Sequence, residues 1–125
     1  MSAEDDDKPE MDLNGLSRAQ DRKVLEQLIE HGDDLSKRRH TILFFYRKDD
    51  DARPEDKLFG PIISAGKELG FTVARRDDES LIIEGYKLVD PENLEALSTW
   101  AEGIADASGA RFDGWECAVE MEKPN

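Results

Sequence analysis

Apolar side chains recur along this chain in two rhythms. Between Ser17 and Gly32, Val24, Leu25, Leu28 and Ile29 fall at helical spacing. The stretch "SRAQ" ahead of them has the capping-box pattern, with Ser17 as N-cap and Gln20 three residues on. Gly32 is a suitable stop. "HTILFFYR", residues 40–47, then changes to strand chemistry: Ile42, Phe44 and Tyr46 alternate with Leu43 and Phe45, so both faces are apolar. A second helical stretch runs from about Pro54 to Leu69, with Leu58, Phe59, Ile62, Ile63 and Leu69 as its apolar positions. Pro61 predicts either a kink there or a restart with Gly60 as N-cap. "FTVARR" reads as a short strand, "DDE" as a turn, and "SLIIEGYKLV" as a longer strand that is again apolar on both faces. "DPEN" opens a third helix, with Asp90 capping and Pro91 at its first position. Leu94, Leu97, Trp100, Ala101 and Ile104 form its stripe, and Gly109 ends it. The last stretch, 112–122, alternates once more: Trp115, Cys117, Val119 and Met121 against Glu116, Glu120 and Glu122.

The element string is one helix followed by β-α-β-β-α-β. That predicts an α+β fold, a ferredoxin-like α/β sandwich with an antiparallel four-stranded sheet and an extra N-terminal helix. Right-handed crossovers place the first and third strands in the middle and the second and fourth at the edges. The two strands with apolar residues on both faces are the two that topology makes central. Two helices cover one face of the sheet. The extra helix, or a second copy of the chain, is expected to cover the other.

The chain has 125 residues, which suits one domain. Residues 1–15 are acidic and poor in apolar groups, and read as a flexible tail ahead of a domain over 16–125. A single cysteine allows no intrachain disulfide. There is no long apolar run and no secretory leader, so a cytoplasmic protein is expected. Thirty acidic residues against seventeen basic ones give a net charge of -13. Such a field repels nucleic acid and anionic membranes. Charge alone favours solubility as its role, and a basic protein partner met by electrostatic steering is the sharper reading. The chain is expected to be a monomer or a weak homodimer.

Little in the sequence points to catalysis. His31 and His40 have no cysteine, histidine or acid at metal-ligand spacing. Cys117 lies on an apolar strand face and reads as a small hydrophobe. "DDD" at 49–51 and "DDE" at 77–79 lack the spacing of a calcium loop. No phosphate loop or dinucleotide fingerprint is present. The expectation is therefore no catalytic, cofactor or metal site. The basic clusters "SKRRH" and "VARR" read as strand-end charges or partners for the chain's own carboxylates. The remaining candidate is an acidic surface, made of Glu116, Glu120 and Glu122 with Asp77, Asp78 and Glu79, that faces a cationic partner.

"FDGW", residues 112–115, precedes the final alternation. Asp113-Gly114 is turn or bulge chemistry inside a strand, and Trp115 serves equally as a core anchor or a binding hot spot. With "LGFTV" after the second helix and the α-βαββαβ order, this motif resembles the bacterial regulator of ribonuclease activity B (RraB) family over roughly residues 16–122. Phe112, Asp113, Gly114 and Trp115 match its motif residue by residue. The resemblance implies an α/β sandwich without catalysis of its own, which binds the endoribonuclease RNase E and reduces RNA cleavage. Members of that family can end in a long acidic tail, whereas this chain carries its acidic run at the N-terminus. An immunity-type inhibitor of a basic nuclease toxin is the other binding reading, and a carboxylate- and metal-dependent enzyme the reading from another class.

Overall fold

The computed structural model describes residues 13–49 and 51–120. Three α-helices and four strands follow in order: α1 Ala19–Glu30, β1 Arg39–Arg47, α2 Glu55–Glu68, β2 Thr72–Arg76, β3 Ser80–Lys87, α3 Pro91–Ser108 and β4 Ala110–Cys117. A 3-10 turn, Leu13–Gly15, precedes them. The sheet order is β2-β3-β1-β4 and every neighbouring pair is antiparallel. β1 and β3 are thus central and β2 and β4 are edges, as the ferredoxin-like arrangement requires. Among the described residues no helix is long and apolar enough to cross a membrane.

The helix ends depart from expectation. α1 starts at Ala19, with Arg18 in the cap position and no side-chain cap. Ser17 instead donates its backbone N–H and its hydroxyl to the two carboxylate oxygens of Glu95 on α3, at 3.0 and 2.8 Å. A tertiary partner has displaced the local capping box. Asp90 holds the cap position of α3, but its side chain accepts from Asn93 Nδ2 at 2.6 Å rather than from a backbone amide. Pro61 sits inside an unbroken α2. It is exposed, and so is Lys57, whose carbonyl loses its intrahelical donor and can turn to water. Leu69, expected in the buried stripe, is 40% exposed just beyond the helix. Gly109 ends α3 with φ +89°, the left-handed conformation expected of a helix-terminal glycine.

Among the described residues the core lies on one side of the sheet. Leu43 and Phe45 of β1, Leu81 and Ile83 of β3, and Ala110 and Trp115 of β4 point into it. Leu58, Phe59 and Ile62 of α2, with Leu94, Leu97 and Ala101 of α3, close over them. Leu25 and Leu28 of α1 belong to the same cluster, so α1 packs beside the other two helices and does not cover the opposite face. Leu13 also packs on this core and Leu16 is buried in it, so the folded domain reaches back past residue 16. The rest of the expected tail, residues 1–12, lies outside the described residues.

Candidate partner-binding surface

"FDGW" owes its form to a bulge. Phe112 pairs with Phe45 and Trp115 pairs with Leu43, and the register shifts between them. In a regular strand, residues three apart point to opposite faces. The extra residue restores the phase, so both rings enter the core. Gly114 supplies the backbone for it, with φ +106°, a region costly for any side chain. Phe112 tilts against Phe45 with ring centroids 5.4 Å apart. Trp115 is 7% exposed and donates its indole N–H to Asp21 Oδ1 at 2.8 Å. Asp21, buried in α1, accepts the Ser98 hydroxyl on Oδ2 at 2.7 Å. Trp115 is therefore a core anchor that ties β4 to α1 and α3. Asp113 is exposed beside Arg111, 3.9 Å away.

A second buried polar link fixes the end of β4. The guanidinium of Arg39 and the carboxylate of Asp33 are fully buried, 2.6 Å apart. Arg39 also donates to the Asp34 carbonyl at 2.8 Å, and Asp33 accepts the Glu120 N–H at 2.9 Å. The segment after β4 is thereby held against the loop between α1 and β1. Sequence reading missed both links. Asp21 was legible in principle, because it shares the helical stripe of Leu25 and Leu28. Asp33 and Arg39 carry no such periodic signal.

These links break up the expected acidic row. β4 ends at Cys117, not at residue 122. Val119, expected inward, is 52% exposed. Glu120 is partly buried beyond the strand, and Glu122 and Met121 lie outside the described residues. Glu116 remains exposed on β4, paired across the sheet with Ile42. Asp77, Asp78 and Glu79 form the β2–β3 turn at the opposite end of the sheet, beside Arg47. Asp77 is occupied there. Its Oδ1 accepts the N–H groups of Glu79 and Ser80, which hold its carboxyl below the usual range. Asp78 and Glu79 are exposed.

What joins these carboxylates is the face of the sheet away from the helices. Cross-strand partners share a face, so register places His40 with Tyr86, Ile42 with Glu84 and Glu116, Phe44 with Ile82, and Tyr46 with Ser80 and Arg111. None of Ile42, Phe44 and Ile82 packs against the core cluster. They form an apolar strip down the middle of a sheet face that no described element covers, with Tyr86, 69% exposed, at its edge. His40 Nε2 meets Glu84 Oε1 at 2.6 Å, and Arg111 lies over the Tyr46 ring at 5.7 Å. Acidic groups stand at both ends of this strip: Glu84 and Glu116 at one, the Asp78-Glu79 turn at the other.

Among the described residues no three His, Cys, Asp or Glu side chains gather as a metal site. Cys117 is partly buried against the core, and burial raises its thiol pKa. The two basic clusters mostly serve internal pairs: Arg39 with Asp33, Arg75 with Asp77 and Arg76 with Glu55.

A protein-family model described as "Regulator of ribonuclease activity B" (RraB) matches residues 18–117, from the residue ahead of α1 to the last residue of β4. A comparison with curated proteins gives no match.

Proposed function

The chain belongs to the regulator of ribonuclease activity B family, and from that membership we propose that it is an acidic protein that binds a bacterial endoribonuclease of the RNase E type and lowers its cleavage of RNA. It acts by occupancy and performs no chemistry of its own. It works where RNA decay takes place, in the cytoplasm. The observation that carries the reading is the sheet face that no described element covers, an apolar strip of Ile42, Phe44 and Ile82 between two acidic ends.

An enzyme that holds RNA presents cationic surface to phosphate. The net charge of -13 steers this chain toward such a surface. Glu116 at one end and Asp78 and Glu79 at the other then sit where phosphates would, while the central strip supplies apolar area that charge pairing alone does not. A solvated acidic surface would need no apolar strip between its charges.

The test is RNA cleavage by an RNase E-type endoribonuclease with and without the protein, alongside direct binding. Wild-type protein is expected to slow cleavage in proportion to its occupancy of the enzyme. Phe44→Ser, on a face that contributes nothing to the core, is expected to remain folded and to raise the dissociation rate. Absence of binding by the wild-type protein overturns the proposal. Full inhibition by Phe44→Ser removes the sheet face from it.

A further inference from the structure

Where β1 begins and β3 ends, two cavities adjoin. One, of about 430 Å³, lies among Leu69, Leu97, Trp100, Arg38 and Lys87. The other, of about 510 Å³, runs onto the sheet face beside Glu84 and Tyr86. They share Arg38, Leu69 and Lys87, so together they make one trough bent around the strand ends. Behind its inner wall Trp100 stacks on Phe71 with ring planes 4° apart.

The trough brings two cations, Arg38 and Lys87, together in an acidic chain. Carboxylates outnumber cations along the chain, and Arg18, Arg39, Arg75 and Arg76 each have one alongside. Among the described residues no carboxylate forms an ion pair with Arg38 or with Lys87. Lys87 donates to the Leu69 carbonyl and lies 5.0 Å from the centre of the Phe71 ring. Burial pushes its pKa down, and the neighbouring Arg38 pushes the same way. Two adjacent cations with no carboxylate paired to them among the described residues, beside an apolar cavity, are complementary to an anion that carries apolar groups.

We propose that the trough receives an extended acidic-apolar protein segment, with a carboxylate between Arg38 and Lys87 and an apolar side chain against Leu69, Leu97 and Trp100. Two lobes suit a run of several residues. A nucleic acid strand fits less well, because each phosphate after the first meets Glu84 and the negative field of the whole molecule. The trough adjoins one acidic end of the sheet at Glu84, and its test involves no ribonuclease.

The probe is acetyl-Leu-Glu-Leu-amide, followed by amide and indole NMR shifts of the full chain. Saturable shifts are expected at the Trp100 indole and at the amides of Gly70 and Leu88, with half-saturation at about 1 mM. Acetyl-Leu-Gln-Leu-amide is expected to bind about tenfold more weakly, the scale of one charge-assisted hydrogen bond. Arg38→Gln is expected to weaken the Glu peptide by a similar factor and to leave the Gln peptide unchanged. Arg38 is exposed, so this variant keeps the fold, and the rest of its spectrum checks that. Lack of saturation, equal binding of the two peptides, or indifference to Arg38→Gln each overturns the proposal. So does tighter, Arg38-dependent binding of an oligouridine, which reassigns the trough to RNA.

Discussion

Gly114 and Asp21 show how single residues set the candidate surface. With φ +106°, Gly114 lets the bulge turn Phe112 and Trp115 to one side. A Cβ there would meet Gln20 Nε2 at 3.6 Å, an ordinary contact, so strain and not crowding opposes substitution. Gly114→Ala is expected to cost about 1–3 kcal/mol, the scale of a residue held in a disfavoured backbone region. Urea unfolding checks this, and a loss near zero would mean that the bulge relaxes freely. Asp21 accepts from both Trp115 and Ser98, and Asp21→Ala leaves two buried donors unmet. Each unsatisfied group costs about 1–3 kcal/mol. Because Trp115→Phe removes one of the donors, a double-mutant cycle is expected to show coupling of about 0.5–3 kcal/mol. Additive losses would show that the indole N–H contributes nothing to the tie.

Between elements, the connection that replaced the capping box of α1 is sensitive to acid. Glu95 is held below the usual carboxylate range by the Ser17 backbone N–H and hydroxyl, and Glu102 by the Arg18 guanidinium. A depressed folded-state pKa contributes stability that is present above the ordinary glutamate value, about 4.3. That stability is lost as pH falls through the folded-state value. The entry to α1 is therefore expected to loosen below about pH 4, with loss of hydrogen-exchange protection at Ser17 and Arg22, whose amides bond the Glu95 carboxylate and the Arg18 carbonyl, before the sheet opens. Glu95→Gln with Glu102→Gln is expected to exchange quickly at neutral pH and to show no further acid step. An acid step that persists in this variant would place the sensitive group elsewhere.

For the whole molecule, charge acts on encounter and apolar contact on lifetime. Reversing Asp78, Glu79 and Glu116 to Lys is expected to leave the fold intact, because exposed substitutions usually shift stability by only about 0.5 kcal/mol each. Asp77 is left out of the set because its side chain builds the turn. The triple variant is expected to associate with a cationic ribonuclease more slowly and to lose most of the salt dependence of its on-rate. Stopped-flow association at two ionic strengths measures both. An unchanged rate at low salt would mean that these carboxylates only solvate the sheet ends.

The sequence determined the element order, the central placing of β1 and β3, and the bulge chemistry of Asp113-Gly114. Each rests on near neighbours: the period of apolar residues, the backbone freedom of glycine, and the handedness of crossovers. Family membership was legible for the same reason, through "FDGW" and "LGFTV". Tertiary structure alone decided which side α1 packs on. An amphipathic stripe shows that a helix is buried, but it does not name the partner; the contacts of Asp21 to Ser98 and Trp115 and of Ser17 to Glu95 do so. The fate of the acidic row was decided in the same way. Period-2 alternation continues past Cys117 in the sequence, but Asp33, held by the buried Arg39, captures the Glu120 N–H and draws the chain off the sheet. The Arg38–Lys87 trough joins residues from three strands, α3 and three loops. The meeting of Arg38 and Lys87 there is a product of the tertiary fold, and a sequence does not display it.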